Sequence, residues 1–410
     1  MRKGRIPLGI LLRCMTSISI CLMVLLLAGC WDRVEVNDLT LIMAAGLDKK
    51  DDKLSLSIEV FVPQPSGGGG GGGESGNSGK GTSSATAQTL VRSAEGVTLA
   101  DAISKLQEEF PRRIFWGHCE IFIFGEKLAR EGMRENIDFI MRESGPRERA
   151  DVFVSKGEAK DILKLIPPIE RSSAEVLREM AKLQTGMKVT VKDFAEMLNG
   201  EARAAALPWV EVLPPEQYQQ PNQTVGFING TAIIKGDKMV GRLNDKLTRG
   251  LLWLRNEVES SIVTIEPKES KGHVSMKLLR SDTNLVPHID GDKWSVTVKI
   301  NTEDDVIQNT TQLDLSNPKL TKKLEKELAE DIEQRIKAAL VRPQKQLNAD
   351  IFNFADAFRR KYPKEWHEVK DRWDEVFPTV EVNIQASAKI LRTGMATVKS
   401  TRQKNEVEKK

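Results

Sequence analysis

Thirteen consecutive residues without a charge, Met15 to Leu27, decide where the rest of this chain folds. They follow a basic patch of Arg2, Lys3, Arg5 and Arg13, and they end at Leu27-Ala28-Gly29-Cys30. A short apolar core with a positive leading end and small residues before the cut is an export signal. Ala28 and Gly29 let a signal peptidase approach the backbone between Gly29 and Cys30. The Cys30 thiol is then the group that takes a covalent diacylglyceryl lipid, which makes this stretch a lipobox. Two plainer readings compete. A retained membrane anchor needs about 20 apolar residues, and this core is shorter. A plain secretory signal would leave Cys30 as an incidental thiol, but the run stops at Leu-Ala-Gly-Cys and polarity begins two residues later. Residues 1–29 are therefore read as a lipoprotein signal peptide and 30–37 as a tether. Everything beyond them is expected outside the cytoplasm, held by lipid, with no further membrane-spanning helix.

Removing the leader takes four basic residues and no acid, so the net charge falls from +3 to −1. The basic balance of the whole chain therefore gives no reason to expect a nucleic-acid partner. Of the four cysteines, Cys14 and Cys21 leave with the leader and Cys30 is acylated. Cys119 is then alone, and no internal disulfide is available.

The mature length of about 380 residues suits two or three domains. Leu39 to Leu47 is strand-like, and Leu54, Leu56, Ile58, Val60 and Val62 alternate as a half-buried strand, the two forming a hairpin. Gly67 to Gly73 are seven consecutive glycines, and the stretch 66–86 is expected as a disordered surface loop. A phosphate-cradling loop is disfavoured there: Gly81 follows Lys80 where Ser or Thr is needed, and Glu74 replaces the first glycine. A helix is predicted from Val97 to Phe110, a buried strand from Ile114 to Phe124, a helix from Glu126 to Met141 and a strand from Arg149 to Lys156. These make an N-terminal α+β domain, 38–165. Pro167-Pro168 opens a small helical middle domain, 166–222, with helices capped at Ser172 and Thr190.

A C-terminal α+β domain is expected over 223–395. Strands are predicted at 225–234, 239–243, 258–265, 273–280, 285–289 and 294–300, as an antiparallel meander. Asp245 is read as the cap of a short helix. Asn317 caps a long amphipathic helix whose Leu320, Leu324, Leu328, Ile332, Ile336 and Leu340 recur every four residues, and Pro343 should kink or break it. Further helical patterns run through Ile351, Phe354 and Phe358, then from Pro363 through Trp366, Val369, Trp373 and Phe377. A closing strand alternates from Val380 to Ala388. The tail 396–410 is expected to be disordered. The fold class is thus α+β in three domains, the C-terminal one a mainly antiparallel sheet packed by long amphipathic helices.

Signs of catalysis are few. His118, His273, His288 and His367 have no partner at metal-ligand spacing, and His367-Glu368 lacks the second histidine of a zinc helix. His118-Cys119-Glu120 has no Pro-Cys-x-x-Cys downstream. No Gly-x-Ser-x-Gly elbow is present. The acid pair Asp304-Asp305 reads as solvated in a polar turn. Neither a catalytic residue, a cofactor nor a metal site is expected.

With these residues in view, the sequence resembles the Ger(x)C family, the C subunits of nutrient germinant receptors in endospore-forming bacteria. The resemblance runs from Gly29-Cys30-Trp31-Asp32, with Glu35 and Leu39, through Phe115-Trp116-Gly117-His118 and the segment Arg142 to Arg149. It is most specific in Asp350-Ile351-Phe352, in Phe358-Arg359-Arg360-Lys361-Tyr362-Pro363-Lys364-Glu365-Trp366, and in Trp373 with the closing strand to Gly394. Asn353 and Ala355 stand where that pattern would place glycines, and Pro343 departs from it. The resemblance implies three α+β domains and no enzymatic activity. It implies a lipid-anchored subunit on the outer face of the spore's inner membrane, beside integral-membrane A and B subunits. The rival reading is a solute-binding lipoprotein of a transport system, though that class usually shows two doubly wound lobes. An exported hydrolase of unseen type is the third.

Overall fold

The computed structural model describes residues 38–62, 89–143, 145–217, 219–259 and 261–393, together with residues 9, 13, 15–17 and 19. Cys30 and the cleavage point, the tether 30–37, the glycine-rich loop 66–86 and the tail 396–410 lie outside the described residues.

β1 (Leu39–Lys50) and β2 (Lys53–Phe61) form the expected hairpin, turning at Asp51 with φ +50°. β2 is not half-buried, however. Leu54, Leu56, Ile58 and Val60 face one core, and Ser55, Ser57 and Glu59 on the other face are buried as well. The alternation marked a polar face correctly, but helices cover it. Ser57 answers Ser93 of β3 (Thr89–Gly96) hydroxyl to hydroxyl at 2.8 Å.

α1 (Leu99–Glu108) starts at Thr98, whose hydroxyl accepts from the Asp101 N–H. The single strand predicted over 114–124 is broken. β4 (Arg113–Phe115) gives way to a tight turn, Trp116–His118, before β5 (Ile121–Gly125). The predicted helix 126–141 is likewise two, α2 (Glu126–Glu131) and α3 (Arg134–Arg142). Gly132 takes φ +143°, which side-chain-bearing residues resist, and the Met133 N–H is diverted to the Asp237 carbonyl. β6 (Asp151–Ser155), α4 (Ala159–Leu163), α5 (Ser173–Lys182) and α6 (Val191–Asn199) follow. The last two begin at Ser172 and Thr190 as the sequence indicated, the second with a full capping box to Asp193.

β7 (Ala204–Val212), β8 (Gly226–Lys235) and β9 (Lys238–Leu243) then complete the first sheet, in the order β3-β2-β1-β5-β6-β7-β8-β9 with β4 beside β1. Its centre is parallel and its wings antiparallel. Two-residue turns join β1 to β2 and β8 to β9, whereas the central strands are separated by helical crossovers. The boundaries drawn at 166 and 223 do not divide this sheet. β7, expected in a helical middle domain, pairs with β8, expected in the C-terminal one, from Ala204↔Lys235 to Val212↔Gly226. Pro214-Pro215 marks a loop between two strands of one sheet, not a gap between two cores.

α7 (Asp245–Leu254) leads to the second sheet; its cap is Asn244, which accepts from the Leu247 N–H, rather than Asp245. That sheet runs β10 (Ile262–Ile265), β11 (Val274–Asp290), β12 (Lys293–Asn309) and β13 (Glu381–Arg392). β11 replaces the two short strands predicted there. It has a bulge between Leu278 and Arg280 and stays paired with β12 through the polar residues Ser281 to Asn284. The meander is antiparallel up to β12, but β13 joins parallel, because a helical crossover separates the two.

α8 (Pro318–Val341) buries all six residues of its predicted stripe. The α-helix ends at Val341, two residues before Pro343. The helix widens into one π turn, Arg342–Gln346, with the Leu347 N–H reaching the Arg342 carbonyl. A wider turn tolerates the proline, which has no N–H and crowds the carbonyl four residues back. The turn aims the Gln344 amide at the carbonyls of Phe377 and Val380, which fixes the approach to β13. α9 (Phe354–Lys361), α10 (Pro363–Val369) and α11 (Trp373–Val376) close the structure. The architecture is α+β, with a large mixed sheet and a mainly antiparallel second sheet packed by helices.

Candidate functional site

The most connected buried carboxyl group among the described residues is Asp350, at the end of the loop after the π turn. Its Oδ1 accepts from the N–H groups of Phe352 and Phe354, both at 3.2 Å. Its Oδ2 accepts from the Ala355 N–H at 2.8 Å and the Trp373 indole N–H at 3.1 Å. The carboxyl thus serves the N-terminus of α9, where unpaired N–H groups and the helix dipole favour an acceptor. Burial pushes its pKa up, and the four donated hydrogen bonds pull the other way. Asn353 sits in the left-handed region at φ +65°. A glycine would be at ease there, and asparagine is among the few other residues that tolerate it. Ala355 lies inside α9 with no such requirement, so its departure from glycine has no geometric consequence.

Aromatic rings pack around this node. Trp373 lies 5.0 Å from Trp366, 5.7 Å from Phe358, 5.9 Å from Phe377 and 6.0 Å from Trp294, centroid to centroid. Trp366 and Trp373 are both buried, and Trp373 meets the second sheet at Trp294 of β12. The Trp366 indole donates to Glu201 at 3.1 Å, and Lys235 pairs with Asp374 at 3.1 Å. The conspicuous C-terminal residues therefore form a structural joint between the last helices and the first sheet.

Two further buried acids act in the same manner. Asp48 of β1 accepts from the N–H groups of Ala159 and Lys160 at 2.7 and 3.1 Å. Glu59 of β2 accepts from those of Ser173 and Ala174 at 3.2 and 3.0 Å. Burial raises Asp48 to about 6 and Glu59 to about 7, against the pull of those bonds. Raised carboxyl groups of this kind occur at active sites, but here each one holds down a helix, α4 and α5 respectively. The sequence reading missed both: Glu59 falls on the polar side of an alternating strand, and Asp48 opens the polar run Asp48 to Asp52 read as the turn between the two strands. Asp304 corrects another expectation. It lies within β12, buried rather than solvated, bonded by the Thr302 hydroxyl at 2.8 Å and raised to about 6 by burial.

Cys119 is fully buried, and desolvation pushes its thiol to about 12, so it is no nucleophile. Among the described residues no group of three or more His, Cys, Asp or Glu side chains could hold a metal ion. No helix there is long and apolar enough to cross a membrane. A cleft of about 580 Å³ between one end of β7 and β8 and the C-terminal helices is lined by Glu201, Arg203, Lys235, Lys370 and Asp374, but Glu201, Lys235 and Asp374 are already engaged in the joint. Cys30, the one site residue expected from sequence, lies outside the described residues, eight positions before Asp38.

The remaining motif, Phe115-Trp116-Gly117-His118, spans the end of β4 and the tight turn after it. Trp116 stacks on Phe122 at 6.4 Å inside the core. A Cβ on Gly117 would come within 2.4 Å of the Phe115 ring, so only glycine lets that ring lie where it does. Gln107 fixes the loop from behind, donating to the Arg112 carbonyl and accepting from the Ile114 N–H.

Residues 32–212 match the family described as the spore germination protein N-terminal domain, and residues 229–394 match spore germination B3/GerAC like, C-terminal. The chain is 26% identical over 404 residues to spore germination protein KC of Bacillus subtilis (strain 168), covering 93% of this chain and 96% of that one. It is 24% identical over 382 residues to spore germination protein B3 of the same organism, covering 91% and 96%. Among solved structures, the crystal structure of the GerBC protein shares the fold, with a TM-score of 0.55 and 19% identity over 85% of this chain and 97% of that one.

Proposed function

This chain belongs to the spore germination B3/GerAC-like family, and from that premise we propose that it is a lipid-anchored, non-enzymatic subunit of a spore germinant receptor. In this reading Cys30 carries the diacylglyceryl lipid and holds the protein on the outer face of the spore's inner membrane. Its work is protein–protein contact with integral-membrane A and B subunits, strengthened because tethering raises the local concentration of each for the other. The observation that carries it is the span of the two family matches, the first of which starts two residues after the lipobox cysteine. Three buried acids add support, since Asp48, Glu59 and Asp350 are each spent on the N–H groups at the start of a helix.

The test is Cys30→Ala in sporulating cells, with membrane fractionation and nutrient-triggered germination read side by side. Loss of the protein from the membrane with a fall in germination is the expected result. Retention on the membrane with normal germination overturns the anchoring reading. Normal nutrient germination after deletion of the whole chain, in a strain without a paralogue, overturns the receptor reading.

A further inference from the structure

We propose that the end of the first sheet where the chain enters β1 rests on the lipid bilayer, through Phe61, Val62 and Phe115. The proposal builds on the anchoring of Cys30 put forward above. Nine residue steps separate Cys30 from Leu39, so β1 begins within about 30 Å of the acyl chains even when the tether is fully extended.

The register gathers large apolar side chains at this end. Leu41 pairs with Phe115, and Leu39 with Arg113, across β1 and β4. Phe61 stands one rung beyond the Ile42↔Val60 pair on the other side of β1. Phe61 and Phe115 are each 38% exposed and Val62 is 41% exposed, on a sheet whose other large apolar residues are mostly buried. The support beneath them is firm: Gly117 makes room for the Phe115 ring, and Gln107 clamps the strand behind it. Rigid aromatic side chains beside a tethered point suit the headgroup–acyl boundary, where such rings gain by partial burial.

The chain's own loop is a poor cover for the patch. Between Val62 and Thr89 the sequence contains no aromatic residue and no Leu, Ile, Val or Met. Charge complementarity is not the driving force either. Exposed Arg112 and Arg113 are offset by exposed Asp38, Glu108 and Glu109. The contact is therefore apolar, and its strength should depend little on salt.

The experiment uses the full-length lipoprotein reconstituted in phosphatidylcholine/phosphatidylglycerol vesicles, with a fluorophore on Phe61→Cys or Phe115→Cys. Ile307→Cys on the second sheet, itself 52% exposed, is the control. Quenching by lipids brominated on their acyl chains should be several-fold greater at 61 and 115 than at 307, and equal in low and high salt. Equal quenching at all three positions overturns the proposal, as does quenching that high salt abolishes. Shielding of 61 and 115 from an aqueous quencher only when integral-membrane receptor subunits are co-reconstituted also overturns it, in favour of a protein partner. Intact mass separates the two readings: without a diacylglyceryl group on Cys30 the anchoring reading fails, while selective quenching at 61 and 115 would still sustain the patch.

Discussion

Replacing Asp350 by alanine removes one side chain and strands four buried donors. These are the N–H groups of Phe352, Phe354 and Ala355 and the Trp373 indole N–H. A buried donor left without an acceptor costs about 1–3 kcal/mol. The three backbone groups sit in one short segment and relax together, so the costs do not add fully. An overall loss of about 4–6 kcal/mol follows, a large share of the roughly 5–15 kcal/mol that holds a typical domain folded. For a cooperative unit the size of the C-terminal match, this lowers the melting temperature by roughly 10–20 °C. Asp350→Asn keeps one acceptor oxygen and turns an amide N–H₂ toward the other donors, so it should fall between wild type and alanine. Trp373→Phe removes a single donor and part of the ring's volume, for a loss of about 2 kcal/mol. The assay is thermal unfolding of the detergent-solubilised full chain, followed by near-ultraviolet circular dichroism of the buried tryptophans. A melting temperature for Asp350→Ala within about 2 °C of wild type would refute the idea that this carboxyl organises α9 and its aromatic cover.

Glu59 has a folded-state pKa of about 7 against 4.5 as the ordinary value. Between those values the unfolded chain releases the proton and the folded chain keeps it, so the group's contribution to stability is complete below pH 4.5 and lost as pH rises to 7. The gap corresponds to on the order of 3 kcal/mol. Glu59→Gln should therefore gain stability relative to wild type across that window in urea unfolding, and parallel pH profiles would contradict this. Glu333 and Glu325 of α8 accept from the outward N–H groups of Ala386 and Ile390 on the edge strand β13, at 3.0 and 2.9 Å. Eight residues of helix and four of strand both span about 12–13 Å, which is why one helix can cap both positions. Glu325→Ala with Glu333→Ala should expose that edge and bring aggregation to lower temperature in light scattering, and an unchanged onset would show the edge is guarded otherwise. A Cβ on Gly250 would stand 2.4 Å from the Arg335 carbonyl oxygen, where α7 crosses α8. Gly250→Ala should cost about 1–3 kcal/mol in the same melts, with no change in melting temperature as the contrary result.

Features that depend on neighbours in the chain were legible from the residues alone. The caps at Ser172, Thr190 and Asn317 were, as were the six-residue stripe of α8 and the hairpin of β1 and β2, because each is set by hydrogen bonds or periodicity over a few residues. The Asp350-Ile351-Phe352 motif was visible as a pattern, but its role was not: the indole that completes the node arrives from Trp373, 23 residues later. Asp48 and Glu59 could not be read at all, since their helices lie more than a hundred positions along the chain. The continuity of the first sheet across positions 166 and 223 was hidden for a related reason. Pro-rich composition at 214–215 signals a break in local structure, yet the β7–β8 ladder is sealed by backbone hydrogen bonds that any sequence can make. Periodicity and capping are written in short-range chemistry, so the residues alone marked most of the helices and strands. Which polar residues were solvated, which strands shared a sheet and which acids became clamps was decided only when the tertiary structure removed water from one face and brought a distant N–H to meet each carboxylate.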